Sequence, residues 1–198
     1  MTRFFVYLVL MVAALSASLL LSRYLASTEI PPKATSSSSS SIPIGGAFTL
    51  IDHNGKTVTD ANFRGRYMLV YFGYTFCPDV CPTALQTITE AMDLLGAKAD
   101  KVQPVFISVD PERDTPKVLK SFMENFHPRM IGLTGSPEQV AAAAKVYRLY
   151  FAKANDDDDY LIDHQAIFYL MGPDGKIVTY FPHGITPNTL ATKVREHL

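Results

Sequence analysis

Three patterns of apolar and polar positions follow one another along this chain. An uncharged apolar run at residues 4–22 lies between Arg3 and Arg23. Ser and Pro dominate next, with Pro31-Pro32, the run Ser36 to Ser41, and Pro43. From residue 44 onward, short apolar runs alternate with segments of helical period. Crossing a bilayer core takes about 20 apolar residues, so residues 1–23 are expected to form a single transmembrane anchor. A cleaved leader is the competing reading, because Ser16-Ala17-Ser18 and Tyr24-Leu25-Ala26-Ser27 place small residues near a potential cut. A short basic start before one span keeps the N-terminus inside. Residues 24–43 cannot bury apolar area and read as a flexible tether. The folded domain is expected over residues 44–198.

Within that domain, Phe48 to Ile51 and Lys56 to Thr59 flank Asn54-Gly55 and predict a hairpin, with His53 solvated in its turn. Tyr67 to Phe72 predicts a buried strand, and Pro78 to about Leu95 a helix. Val102 to Val109 predicts a second central strand. Residues 110–116 then form a loop, and Lys117 to about Phe126 an amphipathic helix with Val118, Leu119, Phe122 and Phe126 on one side. A short strand at Met130 to Leu133 precedes a helix that starts with Ser136 as N-cap and Pro137 in its first turn. Arg148 to Ala152 returns to strand character, and Asp156 to Asp159 form an acidic, exposed excursion. Ile167 to Met171 and Ile177 to Phe181 make a hairpin about Gly172-Pro173-Asp174-Gly175, and Thr186-Pro187 opens a terminal helix.

Charge and composition narrow the function. A net charge of −1 with 47% hydrophobic residues supports one good-sized core and gives no basic face for nucleic acid. The two cysteines, Cys77 and Cys81, are too few for a disulfide scaffold and too close for a zinc ribbon. They fall where a strand turns into a helix, where unpaired N–H groups and the helix dipole favour thiolate. A disulfide between them would close a tiny loop and constrain the unfolded chain very little. The i, i+4 spacing, read as helical, turns both sulfurs to one spot and permits a redox disulfide or a two-sulfur metal chelate.

Strands alternating with helices and closing on an antiparallel hairpin and a helix describe an α/β, thioredoxin-like fold. It has a central mixed sheet flanked by helices, with the residue 48–59 hairpin as an N-terminal extension. Redox enzymes of that fold place a cis-proline beside their cysteines, and here Asp163-His164-Gln165 stands in that place. Two sulfurs and one imidazole suit Cu(I), with Zn(II) as the generic competitor. His127, His183 and His197 lie in surface contexts and are not expected as ligands. Asp110, Glu112, Arg113 and Asp114 read as an ion-pair and capping cluster.

Several motifs together resemble the Sco/SenC family of membrane-anchored copper proteins. They are Cys77-Pro-Asp-Val-Cys81-Pro82, Ser108-Val-Asp-Pro-Glu-Arg-Asp-Thr-Pro116, Gly132-Leu-Thr-Gly135, Asp159-Tyr-Leu-Ile-Asp-His164 and Tyr169-Leu-Met-Gly-Pro-Asp-Gly175. The resemblance spans about Phe48 to Leu198. It implies copper held by Cys77, Cys81 and His164, and delivery to the dinuclear copper centre of cytochrome c oxidase subunit II. Other copper chaperones or thiol reductants are further candidate partners. Gln165 departs from the family, which has a small hydroxyl residue after the histidine. The expected location is a bacterial inner membrane with the domain in the periplasm, the alternative being a mitochondrial inner membrane facing the intermembrane space. The rival activity is a thiol-disulfide oxidoreductase that keeps the target's copper-ligand cysteines reduced. A peroxiredoxin is disfavoured, because the proline and threonine of its Pro-x-x-x-Thr-x-x-Cys pattern are missing ahead of Cys77.

Overall fold

Seven residues from Tyr67 to Gly73 run extended through the middle of the protein as β3, and all but the first are buried. A strand covered on both faces needs a continuous apolar run rather than alternation, which is what Met68 to Phe72 provide. The computed structural model describes residues 16, 18, 20–23, 43–155, 157 and 159–198. The chain divides into a unit of residues 1–41 and a unit of residues 42–198. The expected anchor and tether, residues 1–23 and 24–43, lie almost wholly outside the described residues. Among the described residues, no helix is long and apolar enough to cross a membrane.

The main sheet has seven strands in the order β2-β1-β5-β4-β3-β8-β9. Their ranges are β1 Thr49–Asp52, β2 Thr57–Thr59, β4 Val102–Ser108, β5 Ile131–Thr134, β8 Ile167–Met171 and β9 Ile177–Pro182. Strands β3, β4 and β5 are parallel; β8 and β9 continue one edge antiparallel. The N-terminal hairpin extends the opposite edge, because β1 pairs antiparallel with β5. The turn between β1 and β2 is tied by Asp52, whose Oδ1 accepts the N–H groups of Asn54 and Lys56 at 2.9 Å each. Gly55 supplies the positive φ, +81°, that this turn requires. His53 is not simply solvated there. Its Nδ1 accepts the Gly132 N–H at 3.0 Å and helps hold the hairpin on β5.

Four helices cover the sheet: α1 Val80–Leu95, α2 Pro116–Met123, α3 Pro137–Val146 and α4 Pro187–Arg195. Helix α1 buries Cys81, Ala84, Leu85, Ile88, Ala91, Met92 and Leu95, a stripe at three- and four-residue steps. It packs with α4 on the Tyr71 and Phe106 face of the sheet, and Tyr147 at the end of α3 stacks on Phe72 on the other. Helix α3 has the expected Ser136 N-cap with a capping box to Gln139, and Thr186 caps α4.

Two expectations shift. Helix α2 ends at Met123, short of Phe126, and the chain leaves through tight turns in which the Asn125 and Phe126 N–H groups bond to the Phe122 and Met123 carbonyls. Leu119 and Met123 are buried and Phe122 and Phe126 pack against the core, as expected for three of the four inward residues, while Val118 faces solvent. After α3, Arg148 adopts a left-handed φ of 57° and closes the helix, so the next strand begins three residues later than expected. That strand, β6 Phe151–Lys153, pairs with β7 Ile162–His164 in a separate two-stranded sheet. Sequence reading did not anticipate β7, and His164 is its last residue.

Candidate metal centre

The site lies at the carboxyl ends of the parallel strands β3 and β4, where the connecting loops of open α/β sheets place their chemistry. Between β3 and α1 runs the loop Tyr74 to Asp79. Cys77 belongs to this loop and only Cys81 to the helix, so the two do not share a helical face as their spacing suggested. They meet because the Cys77 sulfur folds back over the helix start and accepts the Cys81 N–H at 3.4 Å. Asp79 occupies the N-cap position but makes no capping hydrogen bond with its side chain, and the sulfur satisfies the N–H instead. Both cysteines are free thiols.

Their environments differ sharply. Cys77 is half-buried and accepts the Cys81 N–H; the neighbouring Cys81 thiol first, then the Asp79 and Cys81 amides, outweigh its burial and bring its pKa down to about 5. Cys81 is fully buried, and both the neighbouring Cys77 and its burial push its pKa up. Cys77 is thus the thiolate and Cys81 the thiol. Close approach of β3 makes this possible: a Cβ on Gly73 would stand 2.8 Å from the Cys81 sulfur.

His164 reaches the pair from β7, with its Nε2 3.5 Å from the Cys81 sulfur. Its Nδ1 lies 3.3 Å from the Gln165 carbonyl, which can only accept, so Nδ1 carries the proton and Nε2 presents its lone pair to the sulfurs. Burial lowers the imidazole pKa and keeps it neutral. The backbone of Gln165 sets this tautomer, while its side chain accepts the Tyr150 N–H at 3.3 Å. The edges of Tyr71 and Tyr74 enclose the imidazole, at ring separations of 6.2 and 6.1 Å. Two thiol sulfurs and a neutral imidazole nitrogen form a soft donor set of the kind Cu(I) prefers. Among the described residues, no three His, Cys, Asp or Glu side chains are already drawn into a closed cage. The contacts run pairwise through the buried Cys81, with Cys77 and His164 half-buried beside it.

The expected ion-pair cluster after β4 is present in the Asp110–Arg113 pair, and sequence reading did not place the longer-range contacts that make it a brace around this site. Asp114 is fully buried; its carboxylate accepts the Thr75 N–H at 3.0 Å and the Thr75 and Ser108 hydroxyls at 2.5 Å. It therefore fixes the loop two residues before Cys77, and its burial raises its pKa. Asp110 is paired with Arg113 and accepts the Tyr160 hydroxyl at 2.7 Å. The Arg113 guanidinium stacks 3.6 Å over Tyr160 and 4.6 Å over Phe76, the neighbour of Cys77. The loop after β4 thus clasps both the cysteine loop and the approach to β7. Lys153 and Glu112 pair at 2.8 Å on its outer side. Asp157 and Asp159 of the acidic run are exposed, while Asp156 and Asp158 lie outside the described residues.

The likeness to known proteins follows this geometry. The profile of the SCO1/SenC family matches residues 36–198. Protein sco1 of Schizosaccharomyces pombe is 43% identical over 156 residues, covering 76% of this chain and 59% of the relative, so the chain spans about three fifths of that protein's length. The copper-bound structure of Bradyrhizobium japonicum ScoI superposes with a TM-score of 0.73 at 47% identity, covering 78% of this chain and 99% of that one. BsSco, described as a member of the Sco family of cytochrome c oxidase assembly proteins with a disulfide switch, superposes at 0.63 with 28% identity, covering 78% and 93%. The fold is thus the thioredoxin-like one of solved Sco structures, and with most of its length matched the chain belongs to the SCO1/SenC family.

Proposed function

We propose that this chain is a copper chaperone that binds one copper ion through Cys77, Cys81 and His164 and hands it to cytochrome c oxidase subunit II during assembly of the dinuclear copper centre. The observation that carries the reading is the approach of His164 Nε2 to within 3.5 Å of the Cys81 sulfur, beside a Cys77 sulfur that folds back to accept the Cys81 N–H at 3.4 Å. A soft site of two sulfurs and one imidazole, low in coordination number, suits cargo that must leave again. The copper-bound relative at 47% identity supports the metal, and the assembly role stated for BsSco supports the target. The apolar run at residues 4–22 supports a membrane anchor, with the domain in the bacterial periplasm.

Copper bound per chain, measured after Cu(I) loading and gel filtration, tests the proposal. Wild type should hold one copper, and Cys77→Ala or Cys81→Ala none. Stoichiometric copper on Cys81→Ala at wild-type affinity would falsify it.

A second reading has its own support: one low-pKa, accessible thiolate beside a buried thiol is the arrangement of a thiol-disulfide oxidoreductase. His164→Ala separates the two. If that variant still reduces a model disulfide but no longer restores oxidase assembly, the chaperone reading stands; if assembly is unaffected, the redox reading replaces it.

A further inference from the structure

We infer that Tyr71 is a positioning residue for the copper site, its hydroxyl supplying a hydrogen bond to the Cys81 sulfur when both cysteines are metal ligands. The inference deepens the copper reading and rests on it.

Tyr71 is fully buried in β3, and among the described residues its hydroxyl has no hydrogen-bond partner. A buried unpaired hydroxyl costs about 1–3 kcal/mol, and phenylalanine would fill the same space without that cost. The phenol stands beside the thiol pair. A Cβ built on Gly73 would lie 2.8 Å from the Cys81 sulfur and 3.3 Å from the Tyr71 ring, so sulfur and ring flank the same point. The imidazole of His164 meets the ring edge-on at 6.2 Å, and Phe168 stacks against it at 5.2 Å, which holds the ring in place. The hydroxyl couples electrostatically to Cys81 first and Cys77 second, although its approach to Cys81 falls short of hydrogen-bond geometry.

Metal loading changes what Cys81 needs. In the metal-free pair Cys81 is a buried thiol beside Cys77, whose presence and the burial itself push its pKa up. A metal ion replaces the thiol proton, and Cys81 becomes an anion with no exposed surface. A buried anionic sulfur is stabilised by donors, and the orphaned Tyr71 hydroxyl is carried by the ring that flanks the same point as the Cys81 sulfur.

The test is Tyr71→Phe in the full chain, with Tyr147→Phe as control. Tyr147 is also a buried phenol, but it stacks on Phe72 across the sheet. Thermal melting establishes that both variants fold. The Tyr71→Phe protein should bind Cu(I) about tenfold more weakly than wild type, the loss expected for one hydrogen bond to a charged group. Its thiolate-to-Cu(II) absorption should move to longer wavelength, because an unbonded sulfur gives up electron density more readily. The control should change neither. Site-specific fluorotyrosine at position 71, a stronger donor that keeps the side-chain shape, should shift the band the opposite way. Unchanged affinity and absorption in Tyr71→Phe, or an equal change in Tyr147→Phe, overturns the inference while leaving the copper reading intact. Wild type that binds no copper overturns both.

Discussion

The hydroxyl of Tyr74 accepts the backbone N–H of Ile162 at 3.1 Å, a buried bond that ties the loop of Cys77 to the strand ending on His164. Strand β7 belongs to a separate two-stranded sheet, so few backbone ladders hold it against the main one. Tyr74→Phe keeps the ring and strands the Ile162 N–H. The expected cost is about 1–3 kcal/mol, seen as a lower denaturation midpoint at unchanged slope. Amide exchange at Ile162 should quicken with it. An unchanged midpoint with Ile162 still protected would remove this bond from the account.

Gly73 is demanded by contact rather than by backbone conformation. An added Cβ would meet the Cys81 sulfur at 2.8 Å and Phe106 at 3.0 Å, and both are fully buried, with little room to yield. Gly73→Ala should therefore cost about 1–3 kcal/mol as an overpacked core position and should displace Cys81 from His164. Urea unfolding of the metal-free protein checks the first part, and Cu(I) affinity the second. A variant as stable as wild type that loads copper equally well would contradict this packing.

The unequal thiols predict a pH signature in the reduced, metal-free protein. Cys77 has its pKa lowered from 9.0 to about 5, so it gives stability that is complete above pH 9 and is lost as pH falls through 5. Cys81 has its pKa raised, so it sheds stability as pH climbs past the unfolded thiol value. Between those limits stability should rise with pH, and Cys77→Ser should flatten the slope. Iodoacetamide should modify Cys77 with a half-maximal rate near pH 5 and leave Cys81 untouched, as peptide mass mapping can report. Equal labelling of both cysteines, starting only near pH 9, would refute the asymmetry.

That Cys77, Cys81 and His164 come together was legible in the sequence, from the strand-to-helix junction for the cysteines and from the position opposite them in the inferred fold for the histidine. Cys77 and Cys81 stand between an apolar run and a helical one, and His164 precedes a hairpin with clear turn residues. The brace was not legible. Asp114 meets Thr75 across 39 positions and Tyr160 meets Asp110 across 50, and no periodicity links residues so far apart. Strand β7 escaped notice because three residues after an acidic run give too short a pattern to distinguish from loop. Of the four residues expected on the inward side of α2 only Val118 turns to solvent, because a helix of eight residues offers barely two turns of periodicity. Gly73, by contrast, left a hint: a glycine ending an apolar strand suggests close approach of another group.

The last prediction concerns that brace. Arg113 pairs through Nε with Asp110, whose side chain is 1% exposed, and its guanidinium face lies between Tyr160 and Phe76. Removing it leaves a buried carboxylate with the Tyr160 hydroxyl as its remaining side-chain donor. Breaking a buried pair costs about 3–5 kcal/mol, and the lower end applies because Arg113 retains 23% exposure. Arg113→Ala should thus lose roughly 3 kcal/mol. Arg113→Lys should recover only part of this, since an ammonium cannot stack between two rings. Asp110→Asn combined with Arg113→Ala should cost less than the two single changes added together, because the unpaired charge is then gone. Without the guanidinium on Phe76 the loop that carries Cys77 loses one of its anchors, so alkylation of Cys77 in Arg113→Ala should be faster than in wild type at equal pH. Additive stability losses with an unchanged alkylation rate would show that Arg113 braces neither the buried carboxylate nor the cysteine loop.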